Sequence, residues 1–156
     1  MVKRIYSKRD FEYYTMLKQI LCDLELVDKN YLWLISDIEA YPRKKEYQEL
    51  TNNDYLLINT SDLVKMLDDD DFQWIWAVFS AIHSKYPKEE ILKFDLPYLK
   101  NIDDGKYNPY EDKPKVQHPY AEFEIYAVDS SYMFMISDNE ELIHRFKKSY
   151  PLYTEE

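Results

Sequence analysis

One stretch near the C-terminus, residues 121–146, constrains the fold more than any other part of the chain, because signals for strand, turn, strand and helix follow one another in it. In Ala121–Val128, apolar and polar side chains alternate with the period of two that is typical of a half-buried strand. One face of this predicted strand is apolar and carries Phe123, Ile125 and Ala127. The opposite face carries Glu122, Glu124 and Tyr126. We expect that polar face to be at least partly open to solvent.

The predicted strand is followed by a turn, a second strand and a helix. Asp129, Ser130 and Ser131 are turn-forming residues, and so short a connection to the apolar segment 132–136 favours an antiparallel hairpin. Ser137 and Glu140 then have the spacing of a helix capping box. Beyond them, Leu142, Ile143 and Phe146 recur at helical spacing. The pattern predicts a C-terminal helix that docks through Phe146.

The first half of the chain contains signals for both helices and strands. Ser7 and Asp10 are candidate N-caps of a first helix, whose apolar stripe consists of Phe11, Tyr14, Leu17, Leu21 and Leu24. Strands are predicted at 31–35, continuing toward Ile38, and at 55–58. Thr60, Ser61 and Asp62 are predicted to cap a short helix. The aspartates 68–71 follow that helix at its C-terminal end, where the helix dipole disfavours negative charge, so they are expected in a solvated loop.

Two segments admit more than one interpretation. Residues 72–82 have an apolar helical face, but they are also rich in the aromatic and β-branched residues that favour strands, and a central strand is the preferred interpretation. Residues 95–120 contain four prolines and the only glycine, Gly105, and are predicted to be irregular. A loop of this length is often functional.

These elements predict one α+β domain spanning residues 1–156. We expect an antiparallel sheet of about five strands, with the N- and C-terminal helices packed on one face.

Composition narrows the classes of function. The formal net charge is −10. Proteins bind nucleic acids and anionic membranes through clusters of Lys and Arg, so neither is an expected partner. A cationic protein surface is the complementary partner for this charge. Solubility alone is an alternative reason for the acidity. A single glycine excludes a Gly-rich phosphate loop. The chain begins Met1-Val2-Lys3-Arg4, but further charged residues follow too soon for the apolar region of a signal peptide, and a cytoplasmic protein is expected.

Few side chains in the sequence suggest a catalytic or metal-binding site. Glu122 and Glu124 are two apart on a strand, and with His118 and Asp129 they could form a hydrolase site if their pKa values were split. The histidines 83, 118 and 144 lack metal-ligand spacing, and an aspartate run without a central glycine is no EF-hand. We expect no metal and no cofactor. The candidate partner-binding residues are Glu122, Glu124, Tyr126, Asp129, Asp69 and Asp70.

The segment Ala121–Ser131, with Ile136, Ser137 and Asp138 after it, resembles small acidic bacterial proteins of the immunity type, which neutralise polymorphic toxins. The resemblance implies a cytoplasmic, non-enzymatic protein that occludes a basic toxin domain, and it transfers no catalytic residues. A small hydrolase using Glu122 and Glu124 and an acidic structural or regulatory domain are the alternatives.

Overall fold

The computed structural model describes residues 1–7 and 15–156. These residues form seven strands and five helices. Their order is β1 (Lys3–Ser7), α1 (Leu17–Asp23), β2 (Tyr31–Ala40), α2 (Lys45–Thr51), β3 (Tyr55–Asn59), α3 (Thr60–Asp69), β4 (Trp74–His83), α4 (Lys88–Ile91), β5 (Ala121–Val128), β6 (Tyr132–Ser137), α5 (Glu140–Ser149) and β7 (Thr154–Glu155).

The described strands form one antiparallel sheet in the order β3-β2-β4-β5-β6-β1-β7. The predicted hairpin is confirmed, because β5 and β6 pair from Phe123 opposite Ser137 to Val128 opposite Tyr132. Asp129 and Ser130 have positive φ values of 46° and 59°, as both central residues of a type I′ turn do. The strand interpretation of residues 72–82 is also confirmed, because β4 lies between β2 and β5.

The prediction of about five strands is wrong, because the described residues form a sheet of seven strands. The two unpredicted strands, β1 and β7, are short and lie beside each other at one edge. Ser7, a predicted helix N-cap, is instead the last residue of β1 and is paired with Met133. The five residues of β1 include two cations, so their strand signal is weak, and pairing with β6 determines their conformation. The predicted N-cap Asp10 and the stripe residues Phe11 and Tyr14 lie outside the described residues.

Three helices cover one face of the sheet. The buried stripes of α1, α3 and α5 join the inward side chains of the strands in a single apolar cluster. Phe123 and Ile125 of β5 and Phe146 of α5 belong to it, and all three are buried. Burial of apolar area is the dominant stabilising contribution on this face.

The opposite face of the sheet is covered by an irregular segment, residues 92–120, which we call the cover segment. It contains no helix or strand. Leu99 is fully buried in an apolar cluster with Tyr126 and Phe134 of the sheet. Leu96 packs on a second cluster formed by Leu34, Ile82 and Ile91. On the polar face of β5, expected to be partly open, Glu124 and Tyr126 are therefore covered, whereas Glu122 is exposed.

The predicted helix caps are displaced by one or two residues. Asn59 caps α3 by accepting a hydrogen bond from the Asp62 amide at 2.8 Å. Asn139 caps α5, and the capping box that begins at Ser137 does not form. The Ser137 hydroxyl instead accepts a hydrogen bond from the Asn139 amide at 3.0 Å. None of the helices in the described ranges combines the length and the apolar character needed to cross a bilayer.

Candidate functional site

The six residues predicted to bind a partner are divided among four places in the fold. Glu124 and Tyr126 lie under the cover segment, and Glu122 is at the exposed beginning of β5. Asp129 is in the turn at the other end of that strand, roughly 23 Å away for eight extended residues. Asp69 and Asp70 end α3. The six predicted residues therefore do not form one contiguous site.

Glu124 is fully buried, which contradicts the expected solvated face. Its carboxylate accepts hydrogen bonds from the amides of Gln117 and His118 at 2.9 and 3.0 Å. The hydroxyls of Ser80 and Tyr126 donate to it at 3.1 and 2.5 Å. Four donors thus surround one carboxylate, and two of them are backbone groups of the cover segment. Glu124 fastens that segment to the sheet.

Gln117 and His118 extend this attachment on both sides. The Gln117 side chain donates to the Tyr98 carbonyl at 2.7 Å and accepts from the Tyr98 amide at 3.0 Å. His118 Nδ1 accepts from the Tyr120 amide at 3.1 Å, so Nε2 carries the proton that is donated to the Ile91 carbonyl at 2.9 Å. His118 is therefore a neutral, buried structural residue in this arrangement.

Burial controls the titration of this cluster. It raises the pKa of Glu124, against the opposing effect of the donors from Gln117, Tyr126, His118 and Ser80. It also lowers the pKa of His118, since the imidazolium loses its hydration. The pKa of Tyr126 is raised well above 10 by burial and by the charge of Glu124.

Glu122 and Glu124 do not share a site, although they are two residues apart on one strand. Ala81 pairs with Phe123, but the next residue of β4, Ile82, pairs with Ala121, which leaves Glu122 as the extra residue of a β-bulge. A bulge breaks the alternation of side chains. The carboxylate of Glu122 consequently meets Tyr31, whose ring packs edge-on against Phe123 on the helix-covered face. The predicted carboxylate pair is therefore wrong.

Glu122 belongs to an exposed group that we call the acidic corner: Glu25, Glu122 and Glu141, with Tyr31 and Arg145. The Tyr31 hydroxyl donates to Glu122 at 2.8 Å. Arg145 pairs with Glu25 at 2.7 Å and also with Glu141. Burial and Glu122 raise the pKa of Tyr31, and the charge of Arg145 opposes that shift. Two carboxylates thus pair with one guanidinium, and a third, Glu122, is held by Tyr31. The side chains of Glu25 and Glu141 are 69% and 73% exposed.

Asp37 is a second attachment point of the cover segment that sequence reasoning missed. Its carboxylate accepts hydrogen bonds from the amides of Leu99, Lys100 and Asn101 at 2.8, 2.7 and 3.1 Å. The residue has a φ of 50° and lies where the register between β2 and β4 shifts. An aspartate interrupting an otherwise apolar strand was the available signal, because aspartate tolerates this conformation better than most residues.

The aspartate run is not a solvated loop, contrary to the prediction. Asp70 is buried and accepts hydrogen bonds from the amides of Arg43 and Lys44 at 2.8 and 3.0 Å. Asp69 pairs with Lys44 at 2.5 Å and accepts from the Tyr47 hydroxyl at 2.8 Å. The hydrogen bonds from Lys44 and Tyr47 lower the pKa of Asp69. Both residues fasten the beginning of α2 to the end of α3.

Asp129 lies near a groove lined mainly by tyrosines, at the edge of the sheet formed by β1, β6 and β7. We call it the tyrosine groove. Its volume is about 690 Å³, and its described lining residues are Tyr6, Tyr110, Tyr132, Leu152, Tyr153, Thr154 and Glu156. Burial raises the pKa of Tyr110, with smaller contributions from Tyr132, Asp129 and Asp37.

A buried cation holds the β1 side of this groove together. Arg4 is 1% exposed and pairs with Glu156 at 2.7 Å, and its guanidinium also donates to the Asp112 carbonyl. The Tyr6 hydroxyl contacts the same Glu156 carboxylate at 3.2 Å and the Tyr110 carbonyl at 3.3 Å. Sequence reasoning treated Arg4 only as an early charge, because its burial depends on the cover segment and on β7.

The described part of the chain contains no group of three or more His, Cys, Asp or Glu side chains that could hold a metal ion. No protein-family model, no curated protein sequence and no solved structure matches this chain.

Proposed function

We propose that this protein is a non-enzymatic binding protein that occludes a basic protein domain, in the manner of an immunity-type toxin inhibitor. The observation that carries the proposal is the acidic corner, where the exposed carboxylates of Glu25 and Glu141 pair with Arg145 and the exposed Glu122 is held by Tyr31. Carboxylates in such an arrangement attract a cationic surface and then pair with its Lys or Arg side chains. The net charge of −10 acts in the same direction at longer range.

Tyr31 gives the corner a fixed aromatic element. Its ring packs edge-on against Trp33 and Phe123, with centroid distances of 5.7 and 5.5 Å. Its hydroxyl holds Glu122 at 2.8 Å. A carboxylate that is already oriented loses less entropy on binding, and preorganisation of this kind increases affinity. The hydrolase alternative lacks comparable support, because Glu122 and Glu124 lie on opposite faces of the sheet.

Charge reversal with a charge-matched control tests the proposal. The test variant combines Glu122→Lys with Glu141→Lys, and the control combines Asp68→Lys with Asp71→Lys. Each pair contains one carboxylate engaged in an ion pair, Glu141 with Arg145 and Asp68 with Lys18. The probes are the cationic domains of the secreted toxins of the source cell, expressed in inactive form, and association rates are measured by stopped flow across a range of salt concentrations.

We expect the corner variant to associate more slowly and to show a flatter salt dependence, because steering charges act mainly on the association rate. The control variant should retain most of the wild-type rate. Equal slowing of both variants would mean that only net charge matters and that the corner is not the contact surface. If none of the cationic domains binds the wild-type protein, the immunity proposal is wrong and the acidity serves solubility.

A further inference from the structure

We infer that strand β3 pairs with β3 of a second copy of this chain, so that two sheets join into one. The inference goes beyond the proposed function and does not depend on it. β3 is the first strand in the sheet order, and among the described residues it pairs only with β2. The residues that border positions 8–14 lie beside other strands, Ser7 beside β6 and Thr15 beside β4. One side of β3 is therefore without a strand partner in the described part of the chain.

The two edges of the sheet differ in how well they resist pairing with another chain. β7 has only two residues, and its Glu155 pairs with Lys3 and Lys147. Short edges that carry charge discourage the addition of a strand. β3 has five residues with neither charge nor proline, and its register with β2 has no bulge. An uncharged edge without a bulge is a template for strand addition.

Apolar side chains of β3 reach solvent along its outer edge. Tyr55 and Leu57 pack on the cluster under the cover segment, whereas Ile58 packs on the helix-covered cluster. All three side chains are nevertheless only partly buried. Successive side chains of a strand point to opposite faces, so an exposure that Leu57 and Ile58 share lies along the edge of the sheet rather than on one face. Pairing with another strand would bury this apolar area.

The sequence of β3 is complementary to itself in the antiparallel direction. A two-fold axis at its central residue places Leu57 opposite Leu57 of the second copy. Leu56 then lies opposite Ile58, and Tyr55 opposite Asn59. The three central pairs are apolar and no pair contains a charge, although each copy has a net charge of −10. A two-fold interface uses the same surface on both subunits, and β3 meets that condition.

Two features at opposite ends of β3 also complement each other under this symmetry. Leu50, near the beginning of the strand, is 38% exposed, and its carbonyl accepts a hydrogen bond from the Asn53 side chain at 3.2 Å. At the other end, a recess of about 630 Å³ is lined by Asn59 and by the apolar side chains of Val27 and Val64. Antiparallel pairing brings the Leu50 end of each copy to the recess of the other, so the contact is made twice.

The charges beside the recess do not favour the basic partner of the proposed function at this edge. Lys29 and Lys65 line the recess together with Asp28. Asp62 lies next to them and accepts a hydrogen bond from the Asn59 side chain at 3.1 Å. The four charges cancel, which gives a cationic domain no net attraction here. Self-complementarity therefore makes a second copy the occupant that fits β3.

Sedimentation equilibrium of the protein alone tests the inference at physiological ionic strength, where screening limits the repulsion between two acidic copies. The test variants are Leu57→Lys and Leu57→Glu, each of which places like charges opposite each other at the two-fold axis. An equimolar mixture of the two instead places a lysine opposite a glutamate. Thr154→Lys and Thr154→Glu are the matched controls, because Thr154 lies in β7 at the other edge. Circular dichroism checks that each variant folds.

We expect the wild-type protein to form a reversible dimer. Each Leu57 variant should weaken the dimer at least about tenfold, because an apolar pair is lost and like charges lie directly opposite each other. The mixture should recover most of the lost affinity, and the Thr154 variants should dimerise like the wild type. A wild-type protein that stays monomeric, or a mixture that dimerises no better than its separate components, would overturn the inference.

Crosslinking provides a second measurement if charge at Leu57 prevents folding. Opposed Cα atoms in an antiparallel pair are about 4.5–5.5 Å apart, within the range of about 4.4–6.8 Å that a disulfide spans. Cys22, the only cysteine of the chain, is replaced by serine. With oxidised glutathione as the oxidant, Leu57→Cys in this background should form a covalent dimer faster than Thr154→Cys. Equal rates for the two cysteine variants would overturn the inference.

Discussion

The two faces of the sheet are covered in different ways. The helix-covered face is mainly apolar, and the side chains of α1, α3 and α5 meet those of β5 in one apolar cluster. The face under the cover segment includes polar and charged side chains that are buried or partly buried. They are Arg4, Ser36, Asp37, Ser80, His118 and Glu124.

The difference depends on where the backbone amides and carbonyls of each covering element find hydrogen-bond partners. A helix satisfies most of its own amides and carbonyls, so the surface beneath it can be apolar. An irregular segment does not, and its buried amides need partners elsewhere. Here Asp37 accepts three backbone hydrogen bonds and Glu124 accepts two, and Ser36 donates to the Pro97 carbonyl at 2.7 Å. The carboxylates of Asp37 and Glu124 therefore have a structural role, because they accept hydrogen bonds from backbone amides of the cover segment.

The largest expected effect belongs to the helix-covered face. Phe146→Ala should lower the free energy of unfolding by about 3–5 kcal/mol, because the ring is fully buried and its removal leaves a cavity. Chemical denaturation measures the loss, with His144→Ala on the exposed side of the same helix as the control. A loss below about 1 kcal/mol would contradict the docking of α5 that the structure shows.

On the other face, Glu124→Gln should lower the free energy of unfolding by about 2–3 kcal/mol, because an amide cannot replace every acceptor and leaves a buried donor unsatisfied. Hydrogen exchange should accelerate at the amides of Gln117 and His118. Glu122→Gln is the matched control and should cost about 0.5 kcal/mol or less, since this side chain is exposed. Equal losses for both variants would refute the role assigned to Glu124.

Asp37→Asn should have a smaller effect, about 1–2 kcal/mol, because asparagine tolerates the positive φ and still accepts hydrogen bonds, but without charge. Thermal denaturation measures the change. Asp54→Asn provides an exposed control. Hydrogen exchange should accelerate at residues 99–101 and remain unchanged at Gln117, because the two attachments are separate. Acceleration at both would mean that the cover segment opens as one unit.

The smallest expected effect is a change in the pH dependence of the free energy of unfolding. It should arise from His118 and Glu124, which meet where the cover segment is attached to the sheet. The pKa of His118 is lowered by burial, so below its ordinary value of 6.5 the unfolded chain binds the proton first and stability falls as pH falls. The pKa of Glu124 is raised by burial, so above its ordinary value of 4.5 the folded chain releases its proton last and stability falls as pH rises.

Unfolding free energies measured between pH 4 and pH 8 test both signs. His118→Gln should reduce the loss on the acid side, and Glu124→Gln should reduce the loss on the alkaline side. Phe146→Ala should displace the whole curve without changing its shape. A His118→Gln curve parallel to that of the wild type would show that the imidazole is not held neutral by burial.

Much of the fold was predictable where local signals agreed. The β5–β6 hairpin, the strand at 72–82 and the buried stripe of Leu142, Ile143 and Phe146 all follow from periodicity, and the structure confirms them. Strand β1 was missed because two cations in five residues weaken its pattern, and β7 because two residues carry no period at all. Both form by pairing with a neighbour that the local sequence does not reveal.

The candidate site was less predictable, for a physical reason. Whether Glu124 is solvated depends on the cover segment folding across it, and whether Glu122 points the same way depends on a bulge opposite Ile82. The tyrosine groove combines residues near both chain ends with residues 110 and 132. These contacts join residues that are far apart in the sequence, so no short segment of it predicts them.

The sequence by itself determined the net charge of −10, the hairpin at residues 121–136 and the apolar stripe that docks α5, since composition and side-chain period are local properties. Only the tertiary structure decided which carboxylates are buried and which are exposed. A carboxylate is stable in the interior only where donors converge on it, and convergence is a long-range property of the folded chain. Glu124 meets that condition through Gln117 and His118, while Glu122, two residues away, remains at the surface.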